Sequence, residues 1–300
     1  MCTIIVSNHH NKEFPLIIAA NRDENYHRKS SPVQILTTSP HLIIGGRDDV
    51  AGGTWQGVNK ESLYVGITNQ GRKRDRDLES RGLVVLNALK CKTLDELIAY
   101  VEELDPSKYN AFNLVFGNNK HIYVAHSYIL HSMVINELAD GIHVISSDMV
   151  FKGKDDKTDY IHGELNEERD TPWQEYYKLL KRILASSDNG VKIRPRKNEE
   201  TGKIGGHCTR SSSVIAFSEE GLARYKWHDR TAPKVKRKIG EPEIPRYKDY
   251  IDLWRNPEGT NLIPIAASEE QDDSIDESEN KNAEIMKRFI AMADKHRDKL

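Results

Sequence analysis

The start of the chain constrains the fold more than any other stretch. Cys2 opens a β-branched run that ends at Val6, and a second apolar run extends from Pro15 to Ala20. A polar, asparagine-containing turn separates the two runs, which is the pattern of a β-hairpin. Such a hairpin would place the charged residues that follow the second run beside Cys2. The alternative interpretation is that Cys2 is a small buried hydrophobe and that these charges belong to a solvated turn.

The second run is followed by Asn21, Arg22, Asp23 and Glu24. We expect Met1 to be removed because Cys2 is small, which would leave Cys2 with a thiol and a free α-amine. An N-terminal amine can act as the base for the nucleophile of its own residue, and it titrates near pH ~8. Arg22 would stabilise the thiolate, since a nearby cation lowers the pKa of a cysteine. Asp23 would bind the amine.

Composition excludes several classes of protein. The chain has 300 residues, 37% of them hydrophobic and 30% charged, with a net charge of -2. It can therefore bury a sizeable core, and its charge argues against nucleic-acid binding. No apolar stretch reaches membrane-spanning length, and the start lacks a secretory signal. The sequence therefore predicts a cytoplasmic protein without a transmembrane segment.

The cysteines and histidines do not have the spacing of a metal site. Cys2, Cys91 and Cys208 are too few and too widely separated for a disulfide framework or a zinc site. His9 and His10 are adjacent, so they would point to opposite faces of a strand. We therefore predict no dedicated metal and no cofactor. Reversible binding of haem stays open, because one exposed His or Cys would suffice.

Periodicity predicts strands and helices in alternation. Strands are expected at 41–46 and 63–68, followed by a helix over 83–89 and a helix capped by Thr93. Four strands at 112–116, 121–125, 132–135 and 141–145 are expected to form one antiparallel meander. Residues 152–170 are strongly charged and are predicted to form a surface loop. A helix begins near Pro172, and 188–206 is read as a loop before a hairpin at 211–217 and 221–227.

The composition changes after Asp229. We predict one domain over 1–230, then a proline- and aromatic-containing extension over 231–267 that includes a short docking helix near Tyr250. Residues 268–300 are predicted to be an acidic disordered linker and a C-terminal amphipathic helix. This tail is the expected contact for a protein partner.

Four short motifs together resemble the NRDE family, also called the transport-and-Golgi-organisation family. They are Cys2, Asn-Arg-Asp-Glu at 21–24, Gly-Gly-Thr-Trp at 52–55 and Thr-Asn at 68–69, and the resemblance covers about 1–227. The family is related to N-terminal-nucleophile hydrolases, especially the cysteine group with bile-salt hydrolases and penicillin V acylases. The resemblance implies an α+β fold, a four-layer αββα sandwich with two mainly antiparallel sheets.

The resemblance also implies roles for single residues. Cys2 matches the nucleophile, Arg22 and Asp23 match the charged pair beside it, Asn69 matches the asparagine of the oxyanion hole, and Arg210 matches an arginine near the start of a late core strand. We predict that these five converge in one pocket, where two arginines would balance Asp23 and a thiolate. Expected ligand contacts are Asn21, Glu24, Thr54, Trp55 and Asp148.

One position departs from the family pattern. Relatives usually have Ser-Asn where this chain has Ser147-Asp148. An amide there could donate a hydrogen bond to an oxyanion, whereas a carboxylate would repel it. Losing one such donor typically costs ~100-fold or more in rate.

Three functions stay open, so the sequence leaves undecided whether the chain is an enzyme. The first is a cysteine amidohydrolase or thioesterase acting on a small acyl substrate. The second is a non-enzymatic haem-, acyl-CoA- or lipid-binding trafficking factor, linked through the family to secretion, Golgi organisation and mitochondria. The third is a structural module whose tail binds a partner. Fold alone does not decide among them.

Overall fold

The structure is a computed structural model that describes residues 2–71, 75, 77–127, 133–146, 156–199, 201–231, 248–251 and 255. In chain order its elements are β1 (Thr3–Asn8), β2 (Leu16–Asn25), β3 (Ser30–Thr37), β4 (Ile43–Asp48), β5 (Gln56–Asn59), β6 (Tyr64–Asn69), α1 (Arg81–Ala88), α2 (Leu94–Glu102), β7 (Phe112–Gly117), β8 (Ile122–Ser127), β9 (Met133–Glu137), β10 (Gly141–Ser146), α3 (Asp156–Leu165), α4 (Trp173–Ala185), β11 (Arg196–Lys197), β12 (Ile204–Gly205), β13 (His207–Ser218), β14 (Gly221–Asp229) and β15 (Lys248–Asp249). A 3₁₀ turn lies at Pro106–Lys108.

Two antiparallel sheets lie face to face. The first has six strands in the order β10-β1-β2-β13-β14-β15, and the second has seven in the order β3-β4-β5-β6-β7-β8-β9. β11 and β12 form a separate two-stranded ribbon. The predicted N-terminal hairpin is confirmed, since β1 and β2 pair antiparallel from Thr3 opposite Asn21 to Asn8 opposite Leu16.

Both faces of the central strands are buried, because side chains alternate between two different cores. Ile4 and Val6 of β1 belong to the inner core between the sheets. Ile5 packs on the other side, with the apolar faces of α3 and α4. α1 and α2 cover the outer side of the second sheet in the same way. The predicted four-layer αββα sandwich is therefore confirmed.

α2 begins where its capping residue Thr93 predicts. Thr93 Oγ1 accepts a hydrogen bond from the backbone N–H of Glu96 at 3.2 Å, and the Glu96 carboxylate accepts one from the N–H of Lys92 at 2.7 Å. α4 begins directly after Pro172. Its buried face includes Tyr177, whose burial follows the predicted helical spacing.

The predicted four-stranded meander is wrong in its last strand. β7, β8 and β9 are consecutive neighbours in the second sheet, but β10 crosses to the first sheet and pairs with β1, with Ser146 opposite Thr3. Alternation within a strand shows which face is buried and does not identify the neighbouring strand. Val144 on one face and Ile145 on the other are both buried, as a strand between two cores requires.

The charged stretch 152–170 was predicted to be a loop, and that prediction is wrong over 156–165, which forms α3. Lys157, Ile161 and Leu165 recur at four-residue spacing and are buried on one face of the helix. The remaining charged residues are on the other sides of the helix. The high overall charge of the segment therefore favoured a loop prediction although the helix has a narrow buried face. Residues 151–155 lie outside the described part of the chain.

The first sheet extends beyond the predicted domain boundary at 230. β15 pairs with β14, and both Tyr250 and Ile251 are buried in the inner core. Ile251 and Arg255 have helical backbone. Among the described residues, no helix is long and apolar enough to cross a membrane. The predicted acidic linker and C-terminal helix lie outside the described residues, and the domain limits stay predictions.

Candidate functional site

Cys2 directly precedes the first strand, on the side that faces the second sheet. The pairing of Thr3 with Asn21 puts Cys2 next to Arg22 on the neighbouring strand. Because side chains alternate, Cys2 shares its face with the inner-core residues of β1. The thiol donates a hydrogen bond to the backbone carbonyl of Asp23, with a sulfur-to-oxygen distance of 3.6 Å. The hairpin therefore brings the thiol and the charged segment together.

A small cavity lies between the two sheets beside this thiol. Its walls include Cys2, Arg22, Trp55, Gln56, Ser211 and Ser213. The cavity volume is about 10 Å³, which is about the space that one water molecule needs. The cavity has room for a reacting atom but not for a whole substrate, so an acyl substrate would have to reach Cys2 from outside.

Arg22 lies beside Cys2 through the pairing of β1 with β2, and it is almost fully buried at 6% exposure. Its guanidinium carbon lies 4.2 Å from the centroid of the Trp55 ring, and Nη1 donates to Ser30 Oγ at 3.3 Å. Burial lowers the pKa of Arg22, while the neighbouring charges of Cys2 and Glu24 act against that shift. The aromatic face therefore compensates part of the hydration that this cation loses.

The thiol of Cys2 is held in its protonated form. Burial raises the pKa of Cys2, and the negative charge of Asp23 raises it further. The attraction of Arg22 for a thiolate lowers the pKa, but it is the weakest of these effects. A nucleophilic role for Cys2 would therefore require a base that removes the proton during attack.

Asp23 points away from Arg22, toward the helical layer. Its carboxylate accepts a hydrogen bond from Thr209 Oγ1 at 2.6 Å. The residue is 2% exposed, and this burial raises the pKa of its carboxyl. Several neighbouring groups, among them Lys157, act in the opposite direction and lower the pKa. Asp23 contacts Cys2 through its backbone, while its side chain lies behind the strand that carries Arg22.

Asn21 shares this helix-facing side and is fully engaged there. Its Nδ2 donates to the carbonyls of Leu184 at 3.0 Å and Val191 at 2.8 Å, and its Oδ1 accepts from Ser212 Oγ at 2.6 Å. These bonds anchor the end of α4 to the first sheet. Contact between Asn21 and a ligand stays a prediction.

The Gly-Gly-Thr-Trp segment fixes Trp55 over the cavity by close backbone contact. A Cβ on Gly53 would come within 2.3 Å of the backbone of Gly82, and a Cβ on Gly46 would meet the Trp55 ring at 2.2 Å. Thr54 is buried, and its hydroxyl donates to the backbone carbonyl of Gln56 at 2.8 Å. A side chain at Gly46 or Gly53 would therefore clash with its neighbours, and the hydrogen bond of Thr54 fixes the conformation of the turn.

Asn69 and Arg210 do not line the cavity. Asn69 ends β6, opposite Phe112. Arg210 is the bulged residue of β13 and donates from Nη1 to the carbonyls of Asn25 and Arg28, both at 2.9 Å, and to that of the intervening Tyr26. These hydrogen bonds therefore fix the conformation of the turn after β2.

Among the predicted site residues, the structure thus brings Cys2, Asn21, Arg22 and Trp55 to one cavity, where the Asn21 side chain is already bonded on the helix-facing side. Glu24 lies at the edge of this region, where its carboxylate accepts from the backbone N–H of Asn25 at 2.8 Å and is 3.7 Å from Arg28. Asp148 lies outside the described residues. Convergence of all five predicted catalytic residues stays a prediction.

Sequence reasoning missed three polar residues of the cavity wall. Gln56 follows directly after Trp55, and its Nε2 donates to Ser213 Oγ across the gap between the sheets. Ser211 and Ser213 face the cavity because strand alternation turns Ser212 toward Asn21. The run of three serines after Arg210 could have indicated a polar site here, since hydroxyl groups in a buried central strand require polar partners.

Within the described ranges, no group of three or more His, Cys, Asp or Glu side chains is arranged to hold a metal ion. The three cysteines are free thiols. The chemistry that this arrangement can support is therefore that of a thiol, a buried cation and hydroxyl or amide groups.

Comparison with solved structures supports the fold. The Caenorhabditis elegans N-acylethanolamine-hydrolyzing acid amidase (NAAA) ortholog is similar, with a TM-score of 0.50 and 12% sequence identity. The likeness covers 72% of this chain and 92% of that chain. At this identity the similarity shows the fold alone, and it agrees with the N-terminal-nucleophile hydrolase-like architecture predicted from the sequence.

Comparison with curated proteins identifies relatives over a shorter segment. The chain is 31% identical over 107 residues to the Bos taurus "Transport and Golgi organization protein 2 homolog", which is 34% of this chain and 38% of that protein. The Mus musculus "Transport and Golgi organization 2 homolog" matches with the same identity and coverage. The match therefore spans well under half the length of these relatives. The family model described as Transport and Golgi organisation 2 matches residues 1–232. The chain therefore belongs to the Transport and Golgi organisation 2 family.

Proposed function

We propose that the chain is an N-terminal-cysteine hydrolase that cleaves an amide or thioester bond of a small acyl substrate. The observation that carries this proposal is the position of Cys2, whose thiol borders a cavity between the two sheets beside Arg22. Cys2 would act as the nucleophile once Met1 has been removed. Cytoplasmic location, with association with the Golgi or mitochondria, belongs to the same proposal.

Because the pKa of Cys2 is raised, the mechanism requires a base that removes the thiol proton. Because burial keeps the thiol protonated, the α-amine of Cys2 would take the proton as sulfur attacks the substrate carbonyl. A carbon–sulfur bond forms, and the bond to the leaving amine or thiol breaks. The leaving group receives the proton from the α-amine. Water then hydrolyses the acyl-enzyme and regenerates the free thiol.

The cavity wall contains groups that could assist this step. Arg22 supplies a buried positive charge that favours the thiolate. Donors for the oxyanion are expected from Asn69 and from backbone N–H groups. The side chain of Gln56 also borders the cavity, although its amide is bonded to Ser213.

A second candidate is a binding protein that holds an acyl, CoA-like or haem ligand at the same place without turnover. The observation that favours it is the raised pKa of the half-buried Cys2 thiol, which disfavours the thiolate that a nucleophile needs. In this case Arg22 and Trp55 would recognise an anionic group, and the role would be in trafficking.

Intact-protein mass spectrometry with an activated short-chain acyl thioester tests the proposal. Cleavage of Met1 is first verified by mass. The wild-type chain and the control Cys91→Ala should each gain one acyl group, and Cys2→Ala should gain none. Cys91 is a suitable control because it is a half-buried thiol in the outer core of the second sheet. A wild-type protein with a verified N-terminal Cys2 that gains no acyl group would favour the binding candidate.

A further inference from the structure

An exposed basic segment connects α4 to β13. Residues 192–206, which we call the basic arm, contain the two short strands β11 and β12. Arg194, Arg196, Lys197 and Lys203 are all exposed on it. The acids in this stretch of sequence are Glu199 and Glu200. The arm is therefore locally basic in a chain whose net charge is -2.

Backbone hydrogen bonds give the arm a defined shape. Arg196 pairs with Gly205, and Lys197 pairs with Ile204. The N–H of Asn198 donates to the carbonyl of Lys203 at 2.8 Å, which closes the turn. The cations are therefore presented from an ordered frame.

The base of the arm is bonded to the edge of the Cys2 site. The N–H of Ile193 donates to Thr209 Oγ1 at 2.9 Å, and that hydroxyl donates to the carboxylate of Asp23 at 2.6 Å. On the other strand, the carbonyl of Gly206 accepts from the N–H of Tyr26 at 2.8 Å. The basic arm thus projects from the strand ends where Cys2 lies.

The four cations have no acidic partner among the described residues. Some exposed cations elsewhere in the fold are paired: Lys12 with Asp170 at 2.6 Å, and Lys178 with Glu175 at 2.7 Å. Exposed single lysines are ordinary on a protein surface. Several unpaired cations on one short ribbon repel each other, and a bound anion would relieve that repulsion.

The chemistry of the arm fits phosphate better than a carboxylate. A Cβ on Gly205 would lie 3.5 Å from the His27 ring, and one on Gly206 would lie 3.8 Å from the Arg196 side chain, so a ring nitrogen and a guanidinium flank this glycine backbone. Ile204 is 46% exposed on the face that carries Lys197. Glycine backbone beside Lys and Arg is a common setting for phosphate binding.

We propose that the basic arm binds clustered phosphate groups at the edge of the Cys2 site. The phosphates could belong to a free ligand or to a lipid headgroup, since both present the same charged oxygens. This binding does not depend on whether Cys2 is a nucleophile.

The test compares two triple variants of the full chain that change the net charge equally. One carries Arg196→Glu, Lys197→Glu and Lys203→Glu in the basic arm. The matched control carries Lys90→Glu, Lys92→Glu and Lys108→Glu, which are exposed on the helical side of the second sheet. Calorimetry measures binding of tripolyphosphate, and co-sedimentation measures binding to phosphatidylcholine vesicles with and without phosphatidic acid. Circular dichroism verifies that all three proteins are folded.

We expect the arm variant to bind at least about tenfold more weakly than the wild type, with the control unchanged and with weaker binding at higher salt. Binding of tripolyphosphate would support a free phosphate ligand. Binding only to vesicles that contain phosphatidic acid, with the same order of variants, would support a lipid headgroup. The proposal is overturned if the wild type binds neither probe, or if both triple variants lose binding equally.

Discussion

The guanidinium carbon of Arg22 lies 4.2 Å from the centroid of the Trp55 ring, so an aromatic face covers a buried cation beside Cys2. The two residues come from different sheets, Arg22 from β2 and Trp55 from the turn before β5. Their contact therefore joins the sheets at the end of the sandwich that contains the cavity.

Replacing Trp55 with leucine should lower the free energy of unfolding by about 1–3 kcal/mol, because Arg22 loses a cation–π contact in a partly desolvated place and the ring loses its packing. Trp55→Phe keeps an aromatic face and should recover part of the loss. Urea unfolding followed by circular dichroism measures both. Equal destabilisation by phenylalanine and leucine would show that ring volume alone matters.

The rate of Cys2 alkylation should have its pH midpoint above 9.0 in a chain that retains Met1, since burial and then Asp23 raise the pKa of this thiol above that value. A thiol whose pKa is raised on folding also contributes stability that is lost as the pH rises past 9.0. Arg22→Leu should raise the midpoint slightly further, because a cation favours the thiolate. Iodoacetamide labelling in a Cys91→Ala, Cys208→Ala background gives the measurement. A midpoint near neutral pH would contradict the geometry.

Replacing Arg210 with lysine should cost about 1–3 kcal/mol of stability, because lysine has no second nitrogen to donate to Thr231 Oγ1, as Nε does at 3.3 Å, while the end of the side chain binds the three carbonyls. Amide exchange should accelerate at Tyr26 and Arg28, which lie in the turn that Arg210 holds. Denaturant unfolding and exchange mass spectrometry check this. Unchanged exchange in the turn, together with weaker ligand binding, would instead favour the ligand role expected from the sequence.

Truncating Ile251 to alanine should lower stability by about 2–4 kcal/mol, because its side chain is buried in the inner core. Val50→Ala is the control, since Val50 is 61% exposed, and it should change stability by less than about 0.5 kcal/mol. Thermal unfolding compares the two. No loss for Ile251→Ala would support a domain that ends near residue 230.

Local sequence patterns predict the elements whose contacts are with residues close by in the chain. The apolar runs around Val6 and Ile18 predict the first hairpin, and Thr93 predicts the start of α2. The Asn-Arg-Asp-Glu motif identifies the segment beside Cys2. These predictions succeed because turn chemistry and capping act within a few residues.

Local sequence patterns do not predict the features that depend on contacts between residues far apart in the chain. β10 has an alternation that suits either sheet, so its crossing to Thr3 is set by packing on α3 and α4. α3 was missed because Lys157 occupies one of its buried positions, where an apolar residue would have signalled the helix. The roles of Asn21 and Arg210 were also hidden, because their partners are carbonyl groups, which every residue carries.

The strand order of the first sheet has a consequence for the timing of events during synthesis. Ser212, which binds Asn21 in the folded protein, is made 191 residues later. At the usual rate of translation this delay is on the order of ten seconds or more. During that interval the first hairpin lacks its neighbour β13, and for more than half of it the hairpin also lacks β10, so the start of the chain stays open to an aminopeptidase. The removal of Met1 that the proposed hydrolase requires can therefore be completed on the ribosome, before the last strands enclose Cys2.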